Sequence, residues 1–265
     1  MKWQSRDSIN TPFLVWRGIA RYGIICAMKT QVILAAAMFA GAAFGATDFL
    51  RKSKPIEQTE GAAEEIVSSP LYRKTMVILG DSYVQNHRRP IEETWHYRLA
   101  EKYQMQYFNY GRNGDTLAVR REDRRPTLLM RYGMMREPAD YVVVVAGHND
   151  ASRVATNEVN LATFRAGVTN LVVKLKTKYP EAKLVFVSPW NVQREGFAQV
   201  LAAYRELLPG LGVAFYDAAA LSGLDPHDKE GEKAKLWQGP NDTAHLSKAG
   251  HSIMLEKIEP FFRSL

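Results

Sequence analysis

The sequence predicts an α/β protein, a three-layer αβα sandwich around a five-stranded parallel sheet, and three observations carry that prediction. Five short strand-like runs recur along the chain, some rich in β-branched residues and one, Met105 to Phe108, alternating. Longer stretches with helical periodicity separate them, which is the alternation of parallel βαβ units. The run Tyr141-Val142-Val143-Val144-Val145-Ala146 shows no polar alternation, as strands do when helices cover both faces of their sheet.

In chain order, the first fifty residues stand apart. Val32 to Ala46 is apolar and alanine-rich, preceded by Arg17, Arg21 and Lys29 and ended by Asp48. Residues 32–47 fall short of the roughly 18–20 residues of a membrane-crossing helix, so they read as a signal-peptide core or a short anchor. Met28-Lys29 resembles a natural start, and Ala43, Gly45 and Ala46 suit a signal peptidase. Arg51, Lys52 and Lys54 follow at once and favour retention. Residues 1–50 are therefore expected to be a targeting segment or membrane anchor, with the protein exported to the periplasm or beyond the cell and any membrane association made through residues 32–47. A first core helix is the remaining reading. Residues 51–70, polar and acidic, are expected to form a flexible tether. Residues 71–265 are expected to form one domain, since 265 residues with 46% hydrophobic content demand no second core.

Within that domain, strands are expected at 75–80, 105–109, 140–146, 183–188 and 212–216, and helices at 91–102, 116–132, 157–178, 195–208 and 247–263. Tyr179-Pro180 and Leu208-Pro209-Gly210 are expected to stop two helices, and Ser247 to cap the last.

Four short blocks bear chemistry. Gly80-Asp81-Ser82 follows the first strand and puts a hydroxyl at its carboxyl end, where ligands bind in open α/β sheets. Asn113-Gly114 follows the second, and a glycine lets a backbone N–H face a substrate with no side chain between. Gly147-His148-Asn149-Asp150 follows the third, offering an asparagine amide as a side-chain donor. Asp242-Thr243-Ala244-His245 spaces a carboxylate and an imidazole so that one tight turn brings them together. Alone, each block also reads as an ordinary turn or helix cap. Three of them end strands and the fourth precedes the last helix, so all four can converge on one sheet edge.

The ordered set resembles the SGNH (GDSL-type) serine hydrolase superfamily over roughly residues 72–264. The resemblance implies a flavodoxin-like fold and an ester hydrolase whose acyl-enzyme forms on Ser82. It assigns His245 as base, Asp242 as its orienter, and Ser82, Gly114 and Asn149 as oxyanion-hole donors. It implies no cofactor and no metal. Tyr83-Val84-Gln85-Asn86-His87 departs from the short aliphatic and glycine residues frequent after the family's serine, which leaves the acyl pocket's size open.

The expected substrate is a small-molecule or polysaccharide ester, foremost a carbohydrate carrying acetyl or another short acyl group. A lipid esterase or lysophospholipase and an O-acyltransferase are the enzyme alternatives, and a non-catalytic envelope glycan-binding module is the alternative from another class. Nucleic-acid binding is disfavoured despite a net charge of +7, because no recognition motif accompanies the basic residues. Neither H-E-x-x-H nor clustered Cys/His spacing occurs, and the lone Cys26 makes no intrachain disulfide. The run Arg120-Arg121-Glu122-Asp123-Arg124-Arg125, continued by Arg131 and Arg136, reads either as a solvated helix face or as a lid favouring acidic substrates.

Overall fold

The five strand-like runs form five parallel strands in a computed structural model that describes residues 61–265 except 62, 124, 156, 193 and 243. The strands are β1 (Thr75–Gly80), β2 (Gln106–Gly111), β3 (Tyr141–Val145), β4 (Lys183–Val187) and β5 (Ala214–Tyr216). Their spatial order, β2-β1-β3-β4-β5, reverses direction between β1 and β3. In a parallel sheet that reversal opens a crevice at the carboxyl ends of the two strands, because the chains leaving them go to opposite faces. Gly80 pairs with Gly111 on one side and Val145 on the other, so the first three strands end level with one another.

Helices cover the sheet: α1 (Ser82–Gln85), α2 (Trp95–Lys102), α3 (Leu128–Arg131), α4 (His148–Val154), α5 (Glu158–Lys178), α6 (Phe197–Gly210), α7 (Ala218–Leu221) and α8 (Lys248–Arg263). Met76 to Leu79 and Tyr141 to Ala146 are buried, as their lack of polar alternation requires. Side-chain caps fix the starts of α2, α5 and α8. The Thr94 hydroxyl accepts the Tyr97 N–H, Asn157 accepts from Val159 and Asn160, and Ser247 accepts from Gly250. Each such cap stabilises its helix by about 1 kcal/mol.

Several expectations are corrected. The single helix expected over 91–102 is a 3₁₀ turn, Ile91–Glu93, followed by α2, because Thr94 is extended and caps α2 instead of continuing the turn. Only α3 and a 3₁₀ turn, Tyr132–Met134, survive of the helix expected over 116–132. The buried Asp150 carboxylate accepts the backbone N–H groups of Leu117, Ala118 and Val119, giving that segment partners other than a helical ladder. Pro126 then disfavours helix at the residue before it. α6 runs past Leu208 through Pro209 to Gly210, since a proline in the last turn displaces little of the ladder. β5 begins two residues later than expected, at Ala214.

The start of the domain differs as well. Residues 63–67, placed in the flexible tether, are helical, with Ile66 packed against the core and Glu65 paired to Arg263 at 2.5 Å. One apolar residue on an acidic helical turn supplies enough burial to dock it. The rest of the expected tether, the targeting segment 1–50 and the apolar stretch 32–47 lie outside the described residues. Among the described residues no helix is long and apolar enough to cross a membrane.

Candidate active site

Ser82 is the first residue of α1, directly beyond β1 in the crevice between β1 and β3. The turn from strand to helix is tight. A Cβ on Gly80 would stand 2.3 Å from a Val84 methyl and 2.5 Å from the Val145 carbonyl oxygen, so only glycine lets α1 fold back this closely. Asp81 caps α1 by accepting the Tyr83 N–H at 2.9 Å.

His245 arrives from the other end of the chain. Its Nε2 lies 2.9 Å from Ser82 Oγ, and its Nδ1 lies 3.0 Å from Asp242 Oδ2. Asp242 Oδ1 also accepts the backbone N–H groups of Ala244 and His245, at 2.8 and 2.7 Å. Burial pushes this carboxyl up, but the His245 side chain and the two amides together outweigh it and hold Asp242 well below the usual carboxylate range. It is a stable anion facing one imidazole nitrogen while the other faces the serine.

The segment bearing this pair is braced on three sides. Gln238 N–H donates to the His245 carbonyl and Ser247 N–H to that of Leu236, pairing the strand-like residues before and after the turn. The Trp190 indole donates to Ala244 O at 2.9 Å, and Lys229 Nζ donates to Pro240 O at 2.9 Å and Asp242 O at 2.5 Å. These bonds fix the imidazole's position without relying on the serine.

Gly114 and Asn149 flank the serine from the neighbouring strands. Gly114 takes φ +76°, a conformation that glycine adopts without strain. Among the described residues neither its N–H nor that of Ser82 has a hydrogen-bond partner. The Asn149 amide donates to the Asp115 carbonyl at 2.9 Å and to Asp81 Oδ2 at 3.2 Å. All five residues singled out in the sequence therefore surround one crevice.

Other residues at the crevice are not among those five. Gln85 Oε1 accepts the Asn113 N–H at 2.5 Å, while Arg125 and Arg121 donate to the carbonyls of Asn113 and Gly114 at 3.3 and 3.2 Å. Both guanidiniums also pair with Asp123, and Arg112 and Arg131 pair with the buried Asp115. The arginine-rich segment is thus neither a helix face nor a free lid: Arg121 and Arg125 bond the loop that carries Gly114, while Arg120 is exposed. Arg124 lies outside the described residues. The sequence signal is the arginine density, which carries no information on which carbonyls those side chains meet.

Tyr83 packs against Trp190 with ring centres 4.3 Å apart, and its hydroxyl lies 2.8 Å from His148 Nδ1. Burial, with Arg194 and His245 nearby, pushes His148 down to about 3, so it is neutral near pH 7. His87 stacks on His245 at 4.2 Å and 9°. Burial pushes Asp81 up to about 7, the Tyr83 N–H opposes this, and Asp150 and Asp115 add to it. Among the described residues no group of three or more His, Cys, Asp or Glu side chains is arranged to hold a metal ion.

Beside His245 opens a cleft of about 640 Å³ whose walls are His87, Arg88 and Arg89 on one side and residues 238–242 on the other. A hydroxyl, a held imidazole, a half-buried anion and unpaired N–H groups in one crevice can do acyl-transfer chemistry.

Several solved structures share the fold. A protein from Lactobacillus plantarum is 23% identical with a TM-score of 0.61, over 73% of this chain and 98% of the other. An M. smegmatis aryl esterase is 17% identical with a TM-score of 0.58, over 72% and 99%. A carbohydrate acetylesterase family member from Sinorhizobium meliloti is 19% identical with a TM-score of 0.53, over 72% and 98%. A comparison with curated proteins finds no match. The GDSL-like lipase/acylhydrolase family matches residues 78–253, a span that runs from β1 into α8 and takes in every residue of the crevice described above. The chain belongs to that family, and it is an ester hydrolase of the SGNH type.

Proposed function

We propose that this protein is an exported esterase that removes acetyl or other short acyl groups from carbohydrate, with Ser82 as nucleophile, His245 as general base and acid, and Asp242 as the group that orients His245. The observation that carries the catalytic roles is the continuous contact from Asp242 through His245 to Ser82 Oγ, at 3.0 and 2.9 Å. Ser82 Oγ attacks the ester carbonyl as its proton passes to His245 Nε2. The Asp242 anion stabilises the imidazolium that forms. The carbonyl oxygen, now an oxyanion, takes hydrogen bonds from the N–H groups of Ser82 and Gly114 and from the Asn149 amide, which would release its longer bond to Asp81. Each donor of this kind lowers the barrier by about 2.7–4 kcal/mol. His245 then gives its proton to the departing alkoxide, leaving an acyl ester on Ser82. Water, deprotonated by the same imidazole, attacks that ester, the released proton returns to Ser82 Oγ, and the acid leaves.

Carbohydrate is favoured by the cleft's walls, whose described residues include Gln238, Asn241 and two arginines and no large apolar side chain. It is also favoured by likeness to a carbohydrate acetylesterase family member. Export rests on the apolar, alanine-rich stretch 32–47 behind three basic residues.

Labelling the purified protein with a fluorophosphonate and mapping the modified peptide tests the nucleophile, and a p-nitrophenyl ester series from C2 to C8 tests acyl length. Label on Ser82, loss of p-nitrophenyl acetate turnover in Ser82→Ala, and a preference for C2 are expected. Undiminished turnover in that variant would remove the mechanism, and a C8 preference would replace the short-acyl assignment with a lipid-directed one.

A further inference from the structure

We infer that the cleft beside His245 is a subsite for an acidic saccharide, in which Arg88 and Arg89 bind a carboxylate or phosphate carried by the alcohol part of the ester. The inference rests on the hydrolase reading for its direction. His245 must hand its proton to the departing oxygen, so the alcohol lies across the imidazole. The cleft lined by His245, Asp242, His87, Arg88 and Arg89 opens beside that imidazole.

Its charge is one-sided. Arg88 and Arg89 are exposed, and among the described residues neither guanidinium meets a carboxylate. The one acid in the lining, Asp242, already holds His245 and two backbone amides. The pair is also held in place by structure beneath it. Asn86 and His87 take φ +66° and +46°, left-handed values that a non-glycine residue keeps only when its surroundings impose them. Those surroundings are visible. The buried Asn86 donates to the Pro90 carbonyl at 2.5 Å, accepts from Gln238 at 3.1 Å and from the Arg89 N–H at 2.8 Å, and lies 3.2 Å from His251 Nε2. The loop is pinned at its base and presents two forked cations at its tip. Guanidiniums bind carboxylate and phosphate through paired N–H bonds. The volume, about 640 Å³, lies within the range of small-molecule sites, and the lining offers a lipid chain only Pro240 and Ala244.

The test compares acetate release from mono-O-acetylated methyl glucuronide, methyl glucoside and methyl glucoside 6-phosphate, together with calorimetric binding of a galacturonate trimer against maltotriose. We expect kcat/KM for the glucuronide or the phosphate to exceed that for the glucoside by about tenfold or more. The ratio should collapse in Arg88→Gln/Arg89→Gln. It should also shrink in the unaltered protein as salt rises from about 0.1 M to about 1 M and the screening length falls from about 10 Å to about 3 Å. The glucuronide and phosphate arms tell which anion is preferred. Equal release from all three sugars, or faster turnover of a lysophospholipid, overturns the subsite while leaving the hydrolase reading intact. If no ester is cleaved and Ser82 takes no label, the hydrolase reading fails. Arginine-dependent binding of the galacturonate trimer would then still support the anion site, and its absence would overturn that too.

Discussion

Arg125 shows how much a single side chain can do at one remove from the reacting atoms. Its guanidinium donates to the Asn113 carbonyl, and that carbonyl belongs to the same peptide unit as the Gly114 N–H. Withdrawing electron density from the oxygen polarises the amide, strengthening its donation toward an oxyanion. It also fixes the peptide plane that carries the Gly114 N–H. Arg125→Ala is expected to lower kcat by about tenfold with little change in KM, because the interaction grows only as charge develops. Arg125→Lys should restore part of the loss, and steady-state kinetics on p-nitrophenyl acetate would reveal either outcome; a rise in KM alone would reassign the residue to substrate binding. At this scale Ser82, Asp242 and His245 were legible because their spacing and order carry the chemistry. His87, Gln85 and Arg125 were not, since what matters for them is which ring or carbonyl they meet, and that depends on the folded path of two loops.

Among the elements, the buried strands were legible to within two residues because β-branched apolar runs have few alternative fates. Helices were less uniform. α5 and α8 match their expected spans within a residue, carried by Asn157 and Ser247 as caps. Replacing Asn157 with alanine removes acceptors for two N–H groups and should cost about 1 kcal/mol in urea unfolding at unchanged m value; a loss below a few tenths would mean water replaces the cap in full. α4 is hidden in the sequence because Gly147-His148-Asn149-Asp150 resembles a turn, and it does begin with one before continuing to Val154. The stretch 116–127 misleads in the opposite sense. Its periodicity suits a helix, but Asp150, more than thirty residues downstream, captures its amides. No local pattern announces an acceptor that arrives from a distant helix.

For the molecule as a whole, buried titratable groups set the response to acid. His96 and His148 are pushed down to about 3 by burial, and burial also holds His251 well below its usual value. Each is neutral in the fold and takes up a proton on unfolding below about pH 6.5, which favours the unfolded chain. Burial pushes Asp81 and Asp150 the other way, to about 7 and about 6. Between their unfolded and folded pKa values they bind protons more tightly when folded, so their contribution is greatest in acid and is lost as the pH rises through 6 to 7. From pH 7 down to 4, three histidines and two carboxylates nearly cancel, leaving about one unbalanced proton, or about 1.4 kcal/mol per pH unit. Below pH 4 the unfolded carboxylates protonate too and that compensation ends. Asp242, held low in the fold, adds to the decline. Denaturant melts across pH 3 to 8 should show a shallow fall from neutrality and a steep one below pH 4; a steep fall already at pH 6 would mean that Asp81 and Asp150 stay ionised. Ser82 and His245, 163 positions apart, come from opposite ends of the domain. A polypeptide emerging from the ribosome therefore carries its hydroxyl long before the His245 imidazole exists to reach it, and cleavage has to wait until the final helix has docked, which keeps half-made copies chemically silent.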